Sequence, residues 1–155
     1  MTKLLLSLHV LAAVLAVGPV TVAASMFPGA LRRAHSAPGD REQVAGLRTL
    51  HRICRVYAGI GIAVPAFGFA TAGSLDVLGN GWLITSIVLT AAAAAVLGLL
   101  ILPAQDQALT AAQASGPGPA LPPAARLALL TGVFNLLWAT VTVLMIVRPG
   151  STTGA

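Results

Sequence analysis

The chain has 155 residues, the length of a single domain. Hydrophobic residues make up 57 % of it and charged residues only 8 %, whereas an ordinary soluble domain carries roughly 25 % charge. This shortage of charge argues against a soluble enzyme, a disordered chain and a nucleic-acid-binding protein, although the formal net charge is +5. The composition predicts a polytopic protein of the plasma membrane, the inner membrane of a bacterium, with the lipid bilayer as its solvent.

Four nearly uncharged stretches are each long enough to cross a bilayer core of about 30 Å as a helix. They cover residues 4–26, 53–73, 82–102 and 127–147. None of them shows the alternation that is typical of a membrane β-strand. The sequence therefore predicts an all-α fold, a single integral membrane domain in which four transmembrane helices form an antiparallel bundle.

Arginines are concentrated between the first two spans, in a predicted loop over residues 27–52. The arginines there are Arg32, Arg33, Arg41, Arg48 and Arg52, and Arg55 follows just inside the second span. Loops rich in Lys and Arg stay in the cytoplasm, so we expect this loop to be cytoplasmic and both termini to lie outside. The connection over residues 103–125 is rich in Pro, Gly and Ala and is predicted to be a flexible loop, with a short interfacial helix over residues 106–113 as an open alternative.

The start of the chain also allows a cleaved secretory signal. Lys3 supplies the positive charge with which a signal peptide begins, and Val22-Ala23-Ala24 resembles a cleavage site. The apolar stretch between them is longer than the usual 7–15 residues of such a signal. We therefore expect the first span to be retained.

Arg48, Arg52 and Arg55 recur at i, i+4 and i+7, so they share one helix face where the second span enters the membrane. These three residues are called the basic ridge below. Anionic lipid head groups attract such side chains by about 1 kcal/mol each near the surface. The basic ridge predicts contact with anionic lipids at the cytoplasmic face or with an acidic partner, and a plain topology signal is the open alternative.

Small residues predict which face of the second span packs inside the bundle. Gly61, Pro65, Gly68 and Ala72 fall on one face, and small residues let membrane helices approach closely. We therefore expect the second span to be the most enclosed of the four, with a bend caused by Pro65.

A strip of polar side chains is predicted to line the interior of the bundle. It consists of Ser86, Thr90, Thr131, Asn135, Trp138 and Thr142, with His9 at its outer end. An unpaired amide near the bilayer centre is costly, so Asn135 should bond across to the third span, through Thr90 at similar depth. The strip either holds the helices together or forms a functional lining, and the sequence leaves both interpretations open.

Few residues could support cofactor chemistry. His9 and His51 are predicted at opposite ends of the membrane and cannot ligate one haem iron, so His9 alone is a candidate cofactor ligand. The single cysteine, Cys54, forms no intrachain disulfide, and no metal-ligand spacing predicts a metal site. No catalytic set is visible, and no span contains the carboxylate that a proton-coupled transporter usually needs.

The first helix carries a family resemblance. The residues concerned are Leu4-Leu5-Leu6-Ser7-Leu8-His9-Val10-Leu11-Ala12-Ala13, then Gly18-Pro19 and Ala30-Leu31-Arg32-Arg33. They resemble the start of the DUF2269 group, small bacterial integral membrane proteins of unknown function. The pattern is also similar to that of copper-resistance D proteins and of the bacterial membrane protoporphyrinogen oxidase. The resemblance implies four membrane helices, and by the match to the haem-pathway enzyme it implies His9 as a haem ligand.

Three functions fit this sequence. The favoured one is a non-enzymatic membrane protein that serves as an accessory or scaffold subunit of a complex with other membrane proteins, without a bound cofactor. A haem- or copper-linked membrane protein that uses His9 is the first alternative. A small-solute transporter is the second.

Overall fold

The computed structural model describes residues 2–74, 78–114 and 123–150, and over these residues the chain is helical without a strand. The helices are α1 (Thr2–Ser36), α2 (Arg41–Ile60), α3 (Ala63–Ser74), α4 (Gly81–Ala95), α5 (Leu102–Gln113) and α6 (Ala124–Val147). A π-helical segment, Val96–Ile101, joins α4 to α5. The predicted all-α fold is confirmed.

The helices form four long rods, each apolar and long enough to cross a membrane. The rods are Lys3–Ser36, Arg41–Ser74, Gly81–Gln113 and Ala124–Val147. The chain reverses direction between successive rods, and α1 packs against α2, α3 and α6 while α4 packs against α6. These contacts produce the antiparallel four-helix bundle that the sequence predicts.

The loop predicted over residues 27–52 is mostly helix, which corrects its bounds. Residues 27–36 belong to α1 and residues 41–52 to α2, so residues 37–40 alone connect them. Gly39 takes a left-handed φ of 85°, and the Asp40 carboxylate accepts the backbone N–H of Glu42 at 2.9 Å to cap α2. The arginines project from helices whose other faces are apolar. A high density of charged residues in the sequence therefore did not indicate a loop.

The predicted loop 103–125 is likewise shorter than expected. Residues 103–113 belong to α5, and residues 115–122 lie outside the described residues. Leu102 donates its N–H to the carbonyl of Leu97, five residues back, in the wider π register. This register accommodates Pro103, which has no N–H to donate to the preceding turn.

The second rod is interrupted one turn before Pro65. Proline cannot donate to the carbonyl four residues earlier, that of Gly61. The Gly61 carbonyl instead accepts the N–H of Val64 at 3.1 Å. Gly61 and Ile62 therefore separate α2 from α3, which is the break in the helix that Pro65 predicts.

The most enclosed rod is the first and not the second, so that prediction was wrong. Within the most apolar window of each rod, 28 % of the residues are buried in the first and 11 % in the second. The reason is position, because α1 touches α2, α3, α5 and α6 whereas α3 packs chiefly against α1. The predicted face of the second rod does turn inward, and Ala72 on it is buried.

Basic residues are concentrated at the end of the bundle where α1 ends and α2 begins, called the basic end below. They are Arg32, Arg33, Arg41, Arg48, Arg52, Arg55 and Arg126. At the opposite end, the guanidinium of Arg148 lies 5.8 Å from the ring centroid of Trp82. From Trp82 to Leu102 the helix rises about 30 Å at 1.5 Å per residue, which matches the hydrocarbon thickness of a bilayer.

The best-packed core lies at the basic end. It comprises Phe27, Ala30, Leu31, Leu47, Ala108, Leu109 and Leu127, contributed by α1, α2, α5 and α6. A second cluster of Val20, Ala93, Leu97, Ile101 and Phe134 lies nearer the middle of the bundle. The half of the bundle beyond this second cluster contains the cleft described next.

Candidate functional site: an apolar cleft at His9

A cleft of about 290 Å³ separates α3 from α4. It exists because α3 packs against α1 and α4 packs against α6, while α3 and α4 make few contacts with each other. Its lining includes His9, Pro65, Gly68, Leu83, Thr90 and Trp138. We call it the His9 cleft, because almost all of its remaining surface is apolar and the imidazole is the one titratable group among its described lining residues.

The imidazole of His9 is held in one orientation by the backbone of α3. Its Nδ1 lies 2.9 Å from the carbonyl oxygen of Val64. A carbonyl only accepts, so Nδ1 carries the hydrogen, and in the neutral imidazole Nε2 retains a lone pair. No hydrogen bond joins Nε2 to another described residue. His9 therefore presents a fixed acceptor at an apolar cleft.

Gly68 makes room for this imidazole. A Cβ atom at Gly68 would stand 3.0 Å from Cε1 and 3.3 Å from Nδ1 of His9, closer than most Cβ contacts. The glycine that the sequence predicts on a packing face thus has a specific partner. A larger residue at this position would force the ring to move away from the Val64 carbonyl.

A second cleft of about 170 Å³ adjoins the first toward the basic end. The two share Pro65, Thr90, Ala94 and Trp138 as lining residues. Tyr57 lines the second cleft beside the Gly61 break. The edge-to-face contact of Trp138 with Phe134, with ring centroids 6.4 Å apart, holds the indole between the two clefts.

The residues of the predicted polar strip lie in separate places in the bundle. Thr90 and Trp138 line the same cleft as His9, whereas Thr131 is buried with its hydroxyl 3.5 Å from the carbonyl of Ala24 on α1.

The remaining hydroxyls of the strip bond within their own helices. The fully buried Ser86 donates its hydroxyl to the carbonyl of Trp82, and Thr90 donates to that of Ser86. Thr142 is exposed and donates to the carbonyl of Trp138, so its prediction as an interior residue was wrong.

Asn135 faces a different helix from the one predicted. Its Nδ2 donates to the hydroxyl of Ser25 on α1 at 3.2 Å, and not to Thr90. Its Oδ1 is buried without a hydrogen-bond partner among the described residues. Asn135 and Thr90 were predicted to lie at similar depth, but α6 packs against both α1 and α4, and the Asn135 amide contacts α1.

Asn135→Leu is expected to lower the free energy of unfolding by about 0.6 kcal/mol, and by no more than roughly 1.7 kcal/mol, the range for interhelical hydrogen bonds in membranes. Combined with Ser25→Ala the loss should be less than additive, because the two changes remove the same hydrogen bond. Combined with Thr90→Val it should be additive. Unfolding in mixed micelles with increasing sodium dodecyl sulfate measures both cycles, and additivity in the first would contradict the Ser25 contact.

The sequence missed a buried polar cluster at the basic end. Gln105 is fully buried, and its Oε1 lies 3.2 Å from Nδ1 of His51 while its Nε2 lies 3.6 Å from the sulfur of Cys54. His51 Nε2 also lies 3.6 Å from a carboxylate oxygen of Asp106. The available signal was the spacing of His51 with Leu47 and Cys54, which places the imidazole on the buried face of α2.

The structure keeps the two candidate histidines apart. His9 contacts α3 at Val64, and His51 precedes Val64 by a helix length of about 20 Å. Among the described residues, no three His, Cys, Asp or Glu side chains come together to hold a metal ion. A shared site for the two imidazoles is therefore excluded by distance.

The basic ridge is exposed along α2. Its three arginines line a groove of about 450 Å³ together with His51, Val56, Asp106 and Leu109. The ridge thus faces α5 and not solvent alone. This groove and the His9 cleft lie on different parts of the bundle and share no lining residue.

Comparison with known proteins adds no relative. No known protein family matches the chain, and neither a curated protein nor a solved structure shows significant similarity to it.

Proposed function

We propose that this chain is a non-enzymatic, multi-pass membrane protein that binds a small, mostly apolar ligand in the His9 cleft. The observation that carries the proposal is the fixed acceptor, His9 Nε2, at the edge of a cleft that is otherwise almost wholly apolar. Ligand sites in proteins combine an apolar lining with a few placed polar groups in this way. The ligand that fits is an amphiphile with a hydrogen-bond donor such as a hydroxyl.

The membrane location is supported by length and composition. Four rods are long and apolar enough to cross a bilayer, and large apolar side chains such as Leu99, Leu136 and Ile146 are more than two thirds exposed. An exposed apolar surface of this extent would be an aggregation hazard in water. In lipid it is the ordinary exterior of a helix bundle.

The orientation stays a prediction that reporter fusions test. A fusion placed after Gly39 should report the cytoplasm, and one placed after Leu78 should report the outside, because the arginines of the basic end hold that end in the cytoplasm. Enzymatic reporters active on one side only measure both positions. The reverse result would mean that Lys3 and Arg148 govern the orientation.

The ligand proposal is tested by photolabelling. The full-length protein is reconstituted in vesicles with a long-chain alcohol that carries a diazirine, and labelled peptides are mapped by mass spectrometry. We expect labelling at Leu83, Thr90 and Trp138 to exceed labelling at the lipid-facing Leu136. His9→Leu should reduce cleft labelling severalfold because the alcohol loses its acceptor.

Two comparisons make the labelling result specific. His35→Leu removes an exposed imidazole from the same helix and should leave cleft labelling unchanged. A probe of equal length without the hydroxyl should label the cleft less than the alcohol does. Labelling of the cleft no stronger than that of Leu136 would contradict the proposal.

A second candidate is a haem-linked protein in which His9 is the one axial ligand. It is favoured because a metal-ligating histidine usually donates its other ring N–H to a carbonyl or carboxylate, as His9 donates to Val64. Neither a sulfur nor a second imidazole lines the cleft among the described residues, which disfavours copper. A Soret band in the purified protein that disappears in His9→Leu would favour haem over an alcohol ligand.

A role as an accessory subunit is compatible with either ligand. The second rod is the least buried of the four, and its outer face exposes Gly59, Ala66, Ala70 and Gly73. Small residues of this kind allow another membrane helix to approach, and copurification in mild detergent tests this.

For the transporter alternative we find no continuous polar path among the described residues, because the residues of the predicted strip are divided between contacts with α1 and the lining of the His9 cleft.

A further inference from the structure

We propose that the groove between α2 and α5 at the basic end binds a phosphate group, supplied by an anionic phospholipid head group or by a free phosphate. The groove is lined on its α2 side by Arg48, His51, Arg52 and Arg55. Asp106 and Leu109 line it on the side of α5. This site is independent of the ligand proposed for the His9 cleft.

The three guanidiniums of the basic ridge carry uncompensated charge. No ion pair or hydrogen bond joins Arg48, Arg52 or Arg55 to another described residue. The one carboxylate among the described lining residues, that of Asp106, is exposed and lies 3.6 Å from His51 Nε2. The groove therefore offers three free cationic groups and one carboxylate that already has a neighbour.

The position of the ridge fits the head-group layer of a bilayer. Cys54, next to Arg55, packs in the same cluster as Leu102, and Leu102 lies about 30 Å along the helix from Trp82. Arg55 is thus at the edge of the hydrocarbon core, and Arg48 lies about 10 Å further toward water. Head groups occupy a layer of roughly 5–8 Å on each side of that core, so the ridge spans it.

The chemistry of the ridge favours phosphate. The planar guanidinium presents paired N–H donors that match two oxygens of a phosphate group, and arginine is the preferred residue for such bidentate contacts. All three positions of the ridge are arginine and none is lysine. Spaced at i, i+4 and i+7, they can surround one group from a single helix face.

The test uses the full-length protein in mild detergent, with bound phospholipid counted by native mass spectrometry. We expect phosphatidylglycerol to be retained more strongly than phosphatidylcholine. The combined change Arg48→Gln, Arg52→Gln and Arg55→Gln should weaken phosphatidylglycerol binding at least tenfold, since each charge contributes about a fivefold effect near the membrane surface.

A matched control variant distinguishes a specific phosphate site from the general effect of positive surface charge. Arg32→Gln with Arg33→Gln and Arg41→Gln removes the same number of exposed arginines at the same end and should change binding less than twofold. Arg48→Lys with Arg52→Lys and Arg55→Lys keeps the charge and the topology signal but removes the forked donors. Binding in this lysine variant should fall severalfold, and this variant keeps the test valid if the glutamine variant does not fold.

Inorganic phosphate distinguishes the two sources. Displacement of phosphatidylglycerol by millimolar inorganic phosphate would identify a site for free phosphate, and retention of the lipid would identify a head-group site. Equal losses in the ridge and the matched glutamine variants would overturn the proposal, because any basic surface would then suffice. Equal retention of phosphatidylcholine and phosphatidylglycerol would overturn it as well.

Discussion

Phe27→Ala is expected to lower the free energy of unfolding by about 3–5 kcal/mol, the usual cost of removing a buried aromatic side chain. Phe27 is fully buried in the core of the basic end, where it packs with Leu31, Leu47 and Leu127. Ala24, three residues before Phe27, packs with Cys54 beside Arg55, so Phe27 lies on the water side of the edge at which the proposed membrane placement puts Arg55. Water is therefore the competing solvent at this core, and the hydrophobic effect contributes in full.

The matched control is Phe69→Ala. Phe69 is 51 % exposed on α3, where it lines the His9 cleft, and lipid solvates a phenyl ring as well as a neighbouring helix does. We expect this change to cost less than about 1 kcal/mol, since it leaves no buried cavity. Unfolding of both variants with sodium dodecyl sulfate in mixed micelles gives the comparison. Equal losses would show that the core at the basic end is not the main source of stability.

Gln105→Leu is the second change with a large expected effect, a loss of about 1–3 kcal/mol for each buried polar group left unsatisfied. The leucine fits the buried volume but removes the acceptor of His51 Nδ1 and the donor to Cys54. His51 is then buried with one ring nitrogen unpaired. The free energy of unfolding, measured in the same mixed micelles, reports the loss.

Two variants isolate this network from the general effect of an apolar substitution. Gln107→Leu changes an exposed glutamine of the same helix and should leave stability within about 0.5 kcal/mol of the unchanged protein. His51→Phe combined with Gln105→Leu removes both partners and should be less destabilising than the sum of the single changes. An additive result would show that the two side chains do not depend on each other.

The buried cluster also shows why the basic end needs a tertiary core of its own. His51, Gln105 and Cys54 come from α2 and α5, which are separated by more than fifty residues in the chain. Cys54 packs against Ala23 and Ala24 of α1, and the neighbouring Leu47 and Ala108 pack in the core of the basic end.

The sequence by itself determined the elements. Long uncharged stretches in a lipid solvent can satisfy their backbone only as helices, so composition and length were enough to predict an all-α bundle of four rods. Pro65 predicted the break between α2 and α3, because a missing N–H acts locally. The concentration of arginines also identified one end of the bundle, although it did not mark a loop there.

Tertiary structure alone decided which side chains meet. In lipid a face that packs on a helix and a face that meets acyl chains are both apolar, so periodicity could not show that α1 is the central helix or that the second rod is the least enclosed. Asn135 was predicted to bond to Thr90, but Ser25 is its partner because α6 also packs against α1. The His9–Val64 contact joins residues 55 positions apart, and only the packing of α3 on α1 brings that carbonyl to the imidazole.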